Sequence, residues 1–324
     1  MTVVAPTRPP AADTPTAPQL QRLTVGLADL ARFARRQGLD RAIDRDLGYA
    51  LHALLAAGLG DLAPKPFAVD PGPVGGGAGP AAGPSPEATA AGRLTLLGYG
   101  AADAAALAAR LAERQGDRDE SRRLAAAALS PAPPAAKPMP AAIPAGRLLA
   151  FRLRACPVVR SRTLARAHGH GKSREVDAYE HRRLTDPSGF DAAGAPPPPD
   201  ATARIAAYLD WLEAQITRDG AATPVDARVV GLLRRPLWRR GLTHTESRRG
   251  RKGGRGNGDG DADGRPAADP PERVLRTTGV PVPDAVFEGV LRVDDPAAFA
   301  ALLARGVGRH RAFGFGMLLL APAG

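Results

Sequence analysis

Cysteine is almost absent from this chain of 324 residues: Cys156 stands alone. An intramolecular disulfide and a thiolate metal cluster are therefore excluded. No apolar run approaches the roughly 20 residues needed to span a bilayer. Residues 1–18, rich in Pro, Ala and Thr, lack the apolar centre of a secretory signal and read as a disordered tail. The expected setting is the cytoplasm, without a membrane.

Acidic residues are also in short supply. Lys plus Arg number 44 against 33 Asp plus Glu, a formal charge of +11. Such an excess suits a polyanionic partner, because each cation placed on a phosphate releases counterions. A GC-rich genome that writes Arg for Lys would produce a similar balance, and composition alone leaves both readings open. Aromatic residues make up only 4%. Proteins that grip single strands stack bases on aromatic rings, so a basic chain poor in them is better suited to helical RNA, read by shape and backbone.

Glycine and proline are abundant, at 37 and 33 residues, and they cluster. Pro71–Pro86, the segment 131–146 and Ser247–Pro271 read as a loop, an interdomain linker and a disordered insertion. Between them the apolar periodicity alternates between 2 and 3.6. In the first half, strands are expected at Leu20–Leu27, Lys65–Asp70 and Gly92–Gly100. Helices are expected around ADLARFARRQG, after Asp46, and over Ala101–Leu129. In the second half, LLAFRLRACPVVRSR reads as one strand with Arg152, Arg154, Arg160 and Arg162 on one face. A helix over Thr202–Ile216 and strands over Val225–Trp238 and Ala285–Val293 follow. A helix capped by Asp294 and Asp295 and a last strand, MLLLAP, complete it. Each half thus runs strand, helix, strand, strand, helix, strand. The expected fold is α+β: tandem ferredoxin-like (RRM-like) βαββαβ domains with low-complexity insertions, at 19–130 and 147–324.

The segment GVGRHRAFGFG places Gly306, Gly308, Gly314 and Gly316 around Arg309, His310 and Arg311. It lies after a helix and before a strand, the reverse of a dinucleotide-binding turn, and carries no GK[ST] ending, so a nucleotide cofactor is disfavoured. Two uses remain open for it: a phosphate cradle, or a close-packed turn that needs small residues. His168 and His170 sit in a basic loop without a carboxylate or cysteine cluster to complete a metal site. Arg248–Arg255 is either a phosphate clamp or a solubilising insertion. Neither a metal nor a cofactor is expected.

FRLRACPVVR, GKSREV, YLDWLEAQ and VFEGVLRVDDPAAFAALLARGVGRHRAFGFGMLLLAP together resemble CasE, the type I-E CRISPR repeat-processing endoribonuclease of Cascade. CasE belongs to the repeat-associated RNA-binding superfamily. The resemblance covers roughly Gly146–Pro322; in the first half it rests on DLGYALHALL and KPFAVD. It implies a catalytic pair three residues apart on the first-half helix, Tyr49 and His52. It implies RNA contacts from Lys172 and Arg174 of the GKSR stretch and from Arg309 and Arg311, and Arg160 and Arg162 are added on charge. The departures are Ala155–Pro157, where the family often has Asn before Pro, and Ala53, where a basic residue can follow the histidine.

The chemistry implied is metal-independent. The RNA 2′-hydroxyl attacks the adjacent phosphorus, leaving a 2′,3′-cyclic phosphate and a 5′-hydroxyl. Histidine suits the proton transfers and tyrosine can orient the attacking oxygen. Side chains at i and i+3 of a helix lie roughly 5–6 Å apart at Cβ, close enough to face one phosphate. The implied partners are CRISPR precursor RNA, the mature guide RNA and the other Cascade subunits. A non-catalytic hairpin-binding subunit of a ribonucleoprotein is the alternative.

Overall fold

The computed structural model describes residues 18–39, 47–72, 91–140, 142–167, 174–186, 188, 191, 194, 198–239 and 276–323. The first half is built from β1 (Gln19–Gly26), α1 (Leu27–Arg36), α2 (Leu47–Leu59), β2 (Phe67–Val69), β3 (Arg93–Gly100), α3 (Ala104–Gln115), α4 (Glu120–Ala128) and β4 (Ala135–Pro138). Its antiparallel sheet has the order β2-β3-β1-β4. That is the split βαβ arrangement, in which each strand–helix–strand crossover skips one strand. β1 alternates as the sequence requires, burying Leu23 and Val25 under α1, α2 and α4. Gln21 is buried on the same side and is tolerated because its amide donates to the Ala102 carbonyl at 2.8 Å.

Two expectations for this half are corrected. The helix read over Ala101–Leu129 is two helices. Gly116 ends α3, and Asp119 starts α4 by accepting from the Ser121 and Arg122 amides. The segment 131–146, read as a linker, supplies strand β4, whose Ala135–Pro138 pair with Arg22–Gln19. Its prolines did not exclude this, because an edge strand can leave N–H positions unused on its open side.

The second half contains β5 (Leu148–Ala155), β6 (Val158–Ser161), α5 (Arg162–Ala167), β7 (Arg174–Asp177), α6 (Ala178–Thr185), α7 (Ala201–Ile216), β8 (Ala222–Arg239), β9 (Arg276–Val293), α8 (Pro296–Arg305) and β10 (Leu318–Pro322). Its sheet order, β10-β5-β9-β8, repeats the first half's connectivity, with the β6–β7 pair added beside it. β9 extends well before the expected Ala285, because residues from Arg276 onward pair with the far end of β8. Aspartates cap α6, α7 and α8 through Asp177, Asp200 and Asp295.

The expected arginine face breaks at Pro157. β5 ends at Ala155 and the chain turns before β6, so Arg152 and Arg154 do not share a surface with Arg160 and Arg162. Arg152 is only 2% exposed and pairs across the sheet with Glu288 at 3.3 Å. Arg154 makes a two-pronged bond to Asp284, at 2.9 and 2.7 Å. Arg160 and Arg162 are exposed.

The two halves share apolar surface. Tyr99 of β3 joins the second half's core, and its hydroxyl donates to the Leu318 carbonyl at 3.0 Å. Burial pushes that phenol's pKa well up. Among the described residues no helix is long and apolar enough to cross a membrane. The tail at 1–17, most of Pro71–Pro86, the Ser247–Pro271 insertion, Asp46, His168, His170 and Arg248–Arg255 lie outside the described residues.

Candidate active site

α2 is apolar on the side facing the first half's sheet, where Ala50, Leu51, Leu54, Leu55 and Leu59 are buried. Gly58 lets it approach α4: a Cβ there would lie 2.6 Å from Leu129. With that side committed to the core, the intervening ridge points elsewhere. Tyr49 and His52 stand on it, both half-buried.

That ridge meets the glycine-rich loop of the second half. Phe313, in a short 3-10 turn at Arg311–Phe313, lies parallel to Tyr49, with ring centroids 6.0 Å apart. The same ring lies 4.9 Å from the His52 imidazole, tilted by 57°. Residues of both halves thus form the site around Tyr49 and His52. Burial, and then the positive charge of Lys65, hold the His52 pKa below the usual histidine value. At neutral pH the imidazole is therefore largely uncharged and able to take a proton.

The loop that presents Phe313 is held from several sides. The Val307 amide donates to Gly316 at 2.8 Å, and the Gly316 amide donates to the Arg154 carbonyl at 2.7 Å. Arg154, fixed by Asp284, stacks its guanidinium 4.4 Å over the Phe315 ring. Glu175 of β7 lies 2.7 Å from Arg309 and 3.1 Å from His310. His310 first, and then Arg309, hold the Glu175 carboxyl at about 2. The Arg311 side chain donates to the Arg305 carbonyl.

The four expected glycines are all in this loop, and each has positive φ. Their immediate surroundings are protein. A Cβ at Gly306 would fall 2.8 Å from the Gly316 carbonyl and 2.9 Å from Pro66; at Gly316 it would strike the Val307 carbonyl. Gly314 lies against Phe67 and Gly308 against Trp211. Of the two uses left open for this segment, close packing is the one these contacts explain. Arg160 and Arg162 are exposed, Arg309 and Arg311 are partly buried, and Lys172 and the Arg174 side chain lie outside the described residues. Cys156 is buried, as a small core residue should be.

Sequence reasoning missed Phe313, Lys65, Asp284 and Glu175. KPFAVD and RAFGFG hold the first two, but a lone Phe or Lys in a strand or turn carries no spacing signal. The two acids act across more than a hundred residues of chain.

A family model described as CRISPR associated protein matches residues 89–322. The chain belongs to that family. The matched segment of this CRISPR-associated protein begins after the helix that carries Tyr49 and His52. No curated protein matches the chain. Among solved structures it is similar to Thermus thermophilus Cse3 bound to an RNA representing a pre-cleavage complex. The identity is 19%, the match covers 94% of this chain and 100% of the other, and the TM-score is 0.47. It is similar to Cas6e from Escherichia coli K-12 at 17% identity, over 94% and 100% of the two chains, with a TM-score of 0.40. A chain of a CRISPR RNA-guided surveillance complex in a pre-nicking state matches at 15% identity, 94% and 100% coverage, and a TM-score of 0.41.

Proposed function

We propose that this CRISPR-associated protein is a metal-independent endoribonuclease. It cleaves CRISPR precursor RNA within the repeat hairpin, leaves 5′-hydroxyl and 2′,3′-cyclic phosphate ends, and stays with the mature guide RNA as a Cascade subunit in the cytoplasm. The observation that carries this reading is the meeting of Tyr49, His52 and Phe313 at the join of the two halves. An uncharged imidazole there can take the 2′-hydroxyl proton as the oxygen attacks phosphorus. Tyr49 positions the reacting hydroxyl. The Lys65 charge that lowers the His52 pKa also favours the extra negative charge of the pentacoordinate phosphorus. Arg160, Arg162, Lys172, Arg174, Arg309 and Arg311 contact the RNA backbone, while Gly306, Gly308, Gly314 and Gly316 let the loop pack closely against protein and so present Arg309 and Arg311.

The decisive experiment incubates the chain with repeat RNA in EDTA and reads the ends of the products. Cleavage with cyclic phosphate ends that His52→Ala abolishes, RNA binding being kept, supports the assignment. Tight binding without cleavage by the unmodified chain makes it a non-catalytic hairpin-binding subunit instead.

A further inference from the structure

Five arginines converge on one concave surface of the second half. Arg160 of β6, Arg218 just after α7, Arg305 at the end of α8, and Arg309 and Arg311 of the glycine-rich loop line a cleft of about 440 Å³. Its walls include neither Tyr49 nor His52. Arg218 belongs to no motif noted in the sequence. Elsewhere on the surface some arginines stand beside acids, as Arg36 by Glu120, Arg182 by Asp210 and Arg292 by Asp294, while Arg22, Arg35 and Arg93 are exposed without a carboxylate partner among the described residues but lie apart from the cleft. In the cleft only two are matched so, Arg305 by Asp219 at 2.8 Å and Arg309 by Glu175 at 2.7 Å. Arg160, Arg218 and Arg311 have no carboxylate partner among the described residues. Converging like charges gather counterions, and the release of those counterions draws a polyanion in.

The cleft is also pre-shaped. Gly308, at φ +72°, lies so close to the Trp211 ring that a Cβ would come within 2.8 Å of it. The Trp211 indole N–H donates to the Val158 carbonyl at 3.3 Å. One side chain therefore fixes the loop, α7 and β6 against each other beneath the arginines. A helical stem cannot enter a concavity this small, whereas the backbone of an unpaired strand can, and guanidinium planes accept both its phosphates and its unstacked bases.

We propose that the cleft grips a single-stranded flank of the RNA, outside the hairpin that is cut. This rests on the nuclease reading above and says which part of the substrate these arginines hold. The test uses the full chain and its R218A variant, the altered residue being exposed. Each is titrated with a CRISPR repeat hairpin RNA with and without single-stranded flanks, over a range of salt, and cleavage is followed in single turnover at saturating protein. On flanked RNA the variant should lose about threefold to fivefold in affinity, and its salt slope should fall by about 0.7, the value for one lost contact to a single strand. The saturated cleavage rate should not change. Removing the flanks should cost the variant less affinity than it costs the unmodified chain, the difference matching the variant's loss on flanked RNA. Equal weakening with and without flanks overturns the proposal, as does unchanged affinity for flanked RNA or a fallen saturated rate. R218E, with reversed charge, should deepen the affinity loss and leave the rate alone. If flanked RNA binds through these arginines but no RNA is cut, the cleft assignment stands and the nuclease reading falls.

Discussion

Phe313 and Tyr49 belong to different halves of the chain, yet their rings lie 6.0 Å apart and 8° from parallel. The second half's glycine-rich loop therefore sets where the first half's helix presents Tyr49 and His52. Phe313→Ala removes the surface against which both Tyr49 and His52 rest. Cleavage should fall by about 10–100-fold from misplacement alone, with hairpin affinity nearly kept. Single-turnover rates and filter binding on the same preparation check this, and Phe313→Leu should recover part of the rate.

The lowered His52 pKa gives a sign to the pH dependence. With the imidazole as base, the single-turnover rate should rise with pH through a midpoint below the ordinary histidine value, because the active form is the unprotonated one. With the imidazole as acid, the rate would instead fall over that range. His52→Ala should cost at least about 100-fold and flatten the profile. Lys65→Ala removes the neighbouring positive charge, so the rising limb should move to higher pH.

Arg152 and Glu288 face each other in the second half's sheet, their side chains 2% and 10% exposed. Glu288→Ala leaves a guanidinium buried without its carboxylate, which should destabilise the fold by about 3–5 kcal/mol. An apolar pair of similar volume at both positions should regain most of that loss. Chemical denaturation of the parent and both variants separates the outcomes; equal stability of Glu288→Ala and the parent would refute the assignment.

Gly316 adopts φ +81° with its Cα against the Val307 carbonyl. Gly316→Ala should cost at least about 2 kcal/mol, from the left-handed backbone and from the displaced carbonyl. A lowered Tm together with weakened cleavage is expected, since the same loop carries Phe313.

Much of the fold could be read from periodicity. β1, β3, α7 and α8 lie close to where apolar spacing and caps placed them, and the doubled connectivity follows from their order. The misreadings have physical causes. Alanine favours helix so strongly that Ala101–Leu129 conceals its break, which Gly116 and the capping Asp119 make. Proline masks β4, because it is scarce in strands except at edges. The arginine face failed because a period of two does not survive the turn at Cys156–Pro157. At the candidate site, the Tyr49–His52 spacing was visible, whereas Phe313 is brought to it only by the tertiary fold. Likewise, the arginine cleft draws on four separate segments, and no local pattern joins them.

The pairing of β4 with β1 bears on how the halves can move. Once Pro138 is tied into the first sheet, only 139–147 separates it from the strand at Leu148 that opens the second. So short a tether, with Tyr99 bolted to Leu318 beside it, leaves little slack for the lobes to swing apart. An RNA therefore meets two halves that are already joined, and the shape present before the encounter contributes to discrimination between substrates.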